Sequence, residues 1–168
     1  MKNEPVTGRW ALAGSISVKD EIAFVDGEPD PDGVSNWLNG RDDGLEAGIS
    51  PASGLELTIS EDGRFTETAT GKPEVYWFDV EGVMCNDVEP FNGTLLSNEG
   101  LLYLLPDGIP SWSAHAQNRY GKAMLRYDDG DTKICDSLYL KGDQLLRTVN
   151  AVTDELYLDR VLIAYERC

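Results

Sequence analysis

The sequence predicts an all-β fold: a closed up-and-down antiparallel β-barrel of about eight to ten strands, with a long acidic loop after the first. Three observations lead there. The chain of 168 residues carries 17 glycines and 8 prolines, which break it into short runs and favour strands joined by turns over long helices. Those runs are mostly neighbours in sequence, as in a meander of hairpins. The last run, Leu156–Arg167, is apolar in both alternating phases, with Leu156, Leu158, Leu162 and Ala164 in one and Tyr157, Val161, Ile163 and Tyr165 in the other. Such a strand needs cover on both faces, as the closing strand of a barrel does when part of the outer wall is covered. At this length the chain is expected to be one domain over residues 1–168, with an acidic loop insertion at 20–54.

Taken in order, Val6–Val18 reads as the first strand, bent at Gly14. The stretch Asp20–Glu46 is rich in Gly, Pro and Asp. Nine acids (Asp20, Glu21, Asp26, Glu28, Asp30, Asp32, Asp42, Asp43 and Glu46) stand there against the single base Arg41, which accounts for half of the net charge of −16. A loop of that length is more often functional than idle. Within it Val34, Trp37 and Leu38 form an apolar anchor, suited to a short helical turn pinned to the body by Trp37. Gly54–Ala69 is the clearest hairpin: Leu55, Leu57 and Ile59 alternate with polar residues, and Asp62-Gly63 supplies the turn. Glu74–Val83 reads as a strand, Gly93–Leu105 as two strands about Asn98-Glu99-Gly100, and Ser111–Tyr120 as a strand or a short helix. Lys122–Tyr127 pairs with Thr132–Leu140. Gly142-Asp143 and Thr153-Asp154 then turn the chain through Gln144–Asn150 into the final strand. Closing such a sheet removes its exposed edges.

The net charge of −16 disfavours nucleic acid and anionic membranes, whose phosphates repel an acidic surface. It suits solubility, cations or a basic protein. The longest apolar run, Leu101–Leu105, is far too short to cross a bilayer. No leader is visible between Met1 and Pro5. Cys85, Cys135 and Cys168 are odd in number and widely spaced, so neither a disulfide framework nor a metal site is expected and the thiols are expected to be reduced, in the cytoplasm.

Gly8-Arg9-Trp10 on the first strand and Arg167 at the end of the last resemble the lipocalin-like domains of the calycin superfamily. There a Gly-x-Trp motif opens the barrel, and an Arg or Lys near the end of the last strand covers the Trp. The resemblance implies that Gly8, Trp10 and Arg167 close the barrel, through a cation–π contact of about 0.5–2 kcal/mol. It also implies a carrier or sensor of a small, partly apolar ligand. The chain departs from the family in its middle Thr-Asp-Tyr-type motif, which is not legible, and in lacking the secreted members' disulfide. The fatty-acid-binding branch carries Arg-x-Tyr on the last strand. Here Arg160 is followed by Val161-Leu162, with Tyr165 five residues on.

No catalytic motif is legible, and the protein is expected not to be an enzyme and to need no cofactor. Arg160 shares a phase with Leu158 and Leu162. If that phase faces the lumen, Arg160, with Arg147 and Tyr139 from neighbouring strands and Trp112 at a barrel mouth, would hold an anionic ligand head in a pocket of some hundreds of Å³. Otherwise Arg160 pairs with an acid such as Asp136 or extends outward. His115, the lone histidine, reads as structural. Glu28–Gly33 has acids at alternate positions before a Gly, but Asn39 stands where a calcium loop closes with Glu. The second functional reading is a protein-interaction module, such as an immunity-type inhibitor of a basic toxin or nuclease. It would present Asp30, Asp32, Asp42 and Asp43, with Trp37 as the buried anchor.

Overall fold

The computed structural model describes residues 5–40, 43–71, 92–98, 101–108, 113–117 and 123–168. Strand β1 (Gly8–Glu21) leads into a ribbon of β2 (Phe24–Val25) and β3 (Glu28–Pro29), then helix α1 (Gly33–Leu38), a 3-10 turn (Asp43–Gly48) and β4 (Ser50–Pro51). The remaining strands are β5 (Leu55–Ile59), β6 (Arg64–Ala69), β7 (Asn92–Asn98), β8 (Leu101–Pro106), β9 (Ser113–Gln117), β10 (Ala123–Asp129), β11 (Thr132–Lys141), β12 (Gln144–Thr153) and β13 (Tyr157–Arg167). The Ser111–Tyr120 region therefore contributes a strand rather than a helix. The strand expected at Glu74–Val83 lies outside the described residues, as do Arg41, Asp42, Cys85 and Trp112.

Eight strands close a ring in the order β1, β5, β6, β7, β8, β11, β12, β13 and back to β1. Every neighbouring pair is antiparallel. This is an up-and-down barrel, consistent with a lipocalin-like fold but not specific to it. β4 adds a short pairing to β1 at Gly14 and Ser15, and the β9–β10 hairpin extends from the turn end of β11. The bend expected at Gly14 is a register shift in the β1–β13 ladder between Leu12 and Gly14.

Alternation sorts the side chains into two cores. The inward phase packs the lumen with Trp10, Leu57, Ile59, Phe65, Leu104, Leu138, Val149 and Ile163, among others, all buried. The outward phase of β12 and β13 is also largely buried, and that of β11 partly so. Cys135, Val152 and Leu158 lie with Leu38 and Ile22 and with the half-buried Val34 and Trp37, and Leu146, Leu162 and Ala164 lie with Ile16, Leu45 and Ile49. The segment between β1 and β5 thus wraps the outer wall as a strap, with α1 and the 3-10 turn as its contact points. That is the cover the two-sided apolar strand β13 demanded.

The ring shuts where Trp10 and Arg167 are Cα partners. The Arg167 guanidinium carbon lies 4.2 Å from the centroid of the Trp10 ring, and its Nη1 and Nη2 donate to the carbonyls of Thr7 and Pro5 at 3.0 and 2.9 Å. The indole N–H donates to the Val6 carbonyl at 2.8 Å, so the ring is satisfied although only 1% exposed. Gly8 completes the motif for two reasons. Its φ of +132° is one that L side chains rarely adopt, and a Cβ there would stand 2.9 Å from Arg167 Nη1. Gly8→Ala is expected to cost about 1–3 kcal/mol, read as a lowered urea midpoint with an unchanged m-value. An unaltered midpoint would show that the closure does not depend on the glycine.

Candidate functional site

Among the described residues, the lumen is apolar except at one level. On β12 the inward residues are Leu145, Arg147, Val149 and Ala151, all at 3% exposure or less. Arg147 lies diagonal to Asp136 on β11, since Asp136 pairs with Val149, and diagonal to Tyr165 on β13, since Leu145 pairs with Tyr165. Such diagonals are within reach of a long side chain. The guanidinium grips the Asp136 carboxylate with two hydrogen bonds, Nε to Oδ1 at 2.9 Å and Nη2 to Oδ2 at 2.6 Å. Its Nη1 donates to Glu67 Oε1 at 2.5 Å, and the Tyr165 hydroxyl lies 3.4 Å from the same nitrogen.

Glu67 comes from β6, four strands from β12 in either direction around the ring. The Arg147–Glu67 pair therefore crosses the full width of the lumen as a brace. Both side chains are 0% exposed, and that of Asp136 is 1%, so the charges are shut off from bulk solvent. Burial works against the positive charge of Arg147, but Asp136, Tyr165 and Glu67 outweigh it and hold its pKa well above the ordinary value. Burial lifts the Asp136 carboxyl above its usual range, with the Arg147 guanidinium opposing but not cancelling the effect. Burial likewise pushes the Tyr165 hydroxyl up to about 12. The result is one permanent cation shared by two carboxylates.

Of the two placements open for Arg160, the lumen beside Arg147 or an outward position, the outward one holds, and Asp136 pairs with Arg147 rather than with Arg160. Val161, Ile163 and Tyr165 hold the inward phase of β13, so Arg160 and Leu162 face outward under the strap. Arg160 lies with its guanidinium carbon 4.0 Å from the Trp37 ring centroid. It donates to Asn150 Oδ1 at 2.6 Å and to the Trp37 carbonyl at 3.0 Å. Asn150, its Cα partner on β12, donates in turn to the carbonyls of Leu38 and Gly40 at 3.1 and 2.8 Å. The Trp37 indole donates to the Asp159 carbonyl at 2.9 Å, which is the pinning expected of that residue. A Cβ on Gly40 would come within 2.4 Å of Arg160 Nη2, so a larger residue there would have to displace the guanidinium from its place. Tyr139 also faces outward. Its hydroxyl donates to Glu46 Oε1 at 3.0 Å, and Lys141 Nζ holds the other oxygen at 2.5 Å. Arg160 and Tyr139 are thus strap anchors, not lumenal ligands.

Of the other expected site residues, Asp30 and Asp32 lie between β3 and α1, where Asp30 Oδ1 accepts from the Asp32 N–H at 3.0 Å. Asp43 opens the 3-10 turn, and His115 lies on β9. Trp112 and Asp42 lie outside the described residues. Among those described, no group of three or more His, Cys, Asp and Glu side chains is gathered as a metal site requires. Cys135 is buried, and burial, with Asp136 adding to it, pushes its thiol up to about 12, which makes it unreactive. Sequence reasoning missed Glu67 and Tyr165 as partners of Arg147. The signal for Glu67 was its two-residue spacing from Phe65, and for Tyr165 its phase with Val161 and Ile163.

Arg147→Met alone strands two buried carboxylates and is expected to cost about 3–5 kcal/mol. The triple variant Glu67→Leu, Asp136→Leu, Arg147→Met is expected to recover most of that loss or to exceed the parent, read by urea unfolding. A triple variant as unstable as the single one would show that the network itself sustains the barrel.

In comparison with known proteins, the chain matches no family model, no curated protein and no solved structure.

Proposed function

We propose that this chain is a non-enzymatic, cytoplasmic binding protein that works by protein contact, as an acidic module for a basic partner such as a toxin or nuclease that it would inhibit. The observation that supports this reading is the fixing of the acidic strap. Arg160, Asn150 and Trp37 hold α1 to the outer wall, and Tyr139 and Lys141 hold Glu46. Acids carried on anchored backbone cost less ordering on binding than acids on a free loop, and their field steers a basic partner into encounter. The lumen offers less to this function. Its buried side chains pack against one another. The quadruple change of Asp30, Asp32, Asp42 and Asp43 to Asn is expected to slow association with a basic nuclease about tenfold at low salt, with unchanged thermal stability. Surface plasmon resonance would read this, and an association rate indifferent to the four changes would sink the proposal.

A second reading, a carrier or sensor of a small, partly apolar ligand, is favoured by the barrel fold, which is compatible with ligand binding, and by the polar level at Arg147. A buried ionic network is often no more stable than a hydrophobic replacement, so its presence calls for another use. Two carboxylates to one guanidinium disfavour the anionic head first expected and favour a neutral or cationic one. Dodecylamine is expected to raise the melting temperature of the parent saturably and to leave the triple lumenal variant unmoved. A response from dodecanoate instead would reverse the assigned head group.

A further inference from the structure

The barrel end where β1 stops and β13 begins carries Phe24, Val25 and Tyr157, three of the five exposed large apolar residues among those described, at 62%, 56% and 48% exposure. Topology brings them together. Glu21 and Tyr157 are Cα partners, and the Ile22 N–H donates to the Leu156 carbonyl at 2.8 Å. Phe24 follows Glu21 by three residues, so its Cα lies within about 11 Å of that of Glu21 by chain length alone. The ribbon bearing Phe24 and Val25 is firmly rooted. Ile22 below it is buried with Leu38 and Leu158, the Asp30 N–H donates to the Ala23 carbonyl at 2.8 Å, and Asp26 and Gly27 turn it with φ of +53° and +81°.

Exposed acids surround this apolar group. Asp20 and Glu21 end β1, Asp26 and Glu28 lie on the ribbon, and Asp154 and Glu155 form the β12–β13 turn. The Asp154 N–H donates to the Asp131 carbonyl at 3.1 Å, which brings the β10–β11 turn and another exposed acid alongside. The described bases at this end are engaged within the chain, Lys19 with Asp159 at 3.9 Å and Lys133 with Glu155 at 3.5 Å. Single exposed apolar residues need no explanation. Two aromatics and a valine on ordered backbone inside an acidic ring have the make-up of an interface anchor with a charged rim.

We propose that this end is a docking surface for a basic protein. Phe24 and Tyr157 enter an apolar pocket on the partner, and the surrounding carboxylates pair with lysines and arginines at its edge. The proposal rests on the protein-contact reading above and names its contact surface. Charge selects the occupant: a second copy would set one acidic ring against another, and phosphate-rich membranes or nucleic acids would be repelled.

Two synthetic peptides of equal charge test it, one alternating lysine with leucine and the other lysine with serine, titrated into the full chain and followed by amide chemical shifts and calorimetry. The lysine–leucine peptide is expected to bind about tenfold more tightly than the lysine–serine one, with shifts centred on Phe24, Val25, Tyr157 and Glu155. The double variant Phe24→Ser, Tyr157→Ser is expected to remove that difference while keeping the parent's unfolding midpoint. Glu28→Gln with Glu155→Gln is expected to weaken both peptides and flatten their salt dependence. Binding that maps elsewhere on the strap, or survives the double serine variant unchanged, overturns this surface and leaves the protein-contact reading standing. Failure of both peptides to bind overturns both. A dimer in sedimentation that the double serine variant abolishes assigns the surface to a second copy and overturns the basic partner.

Discussion

The ladder between the first strand and the last is the constraint from which the rest of this structure follows. Its register runs from Trp10 opposite Arg167 to Glu21 opposite Tyr157. Without it the meander would be an open sheet with two long unpaired edges. The chain meets its own end there, so the loop-closure entropy of nearly the whole sequence is set against this one pairing. The seal at Trp10 makes the pairing tight. A flat guanidinium covers a flat indole, and the hydrogen bonds of both are satisfied by carbonyls of the segment just before β1.

Closure makes an inside and an outside, and the chain fills both. Inside, an arginine reaches from β12 to a glutamate on the opposite wall and clasps an aspartate beside it. In a medium that excludes water, that brace is tolerable only because the cation has carboxylates on two sides. The wall above and below it is packed with leucine, isoleucine, valine and aromatic rings. An eight-stranded barrel is just wide enough for such filling, or for one small ligand in its place.

Outside, the strap converts an electrostatic problem into an attachment. An acidic segment lying on an acidic protein is repelled unless cations hold it down. Arg160 and Lys141 do so, one against the peptide carbonyls and indole of α1 and the other against Glu46. Arg9 and Arg64 are likewise joined to Glu56 and Asp107. With so many of the described bases engaged internally, the described acids in excess of these pairs mostly face outward.

Local pattern made legible most of the described strands, the turns at Asp62-Gly63 and Gly142-Asp143 and the barrel class, while the closing trio of Gly8, Trp10 and Arg167 was legible through the resemblance to lipocalin-like domains. Short-range alternation encodes the strands and turns. The pinning of the strap by Trp37 was legible too, as an apolar anchor in an otherwise polar stretch. The side of the wall that each residue of β13 would face was not. A strand apolar in both phases carries no signal of direction, and a one-residue choice exchanges every side chain between lumen and outer wall. Arg160 fell on the outside for that reason. The partnership of Arg147 with Glu67 joins residues that are neighbours neither in sequence nor in the sheet, and only the curvature that brings opposite walls together could decide it.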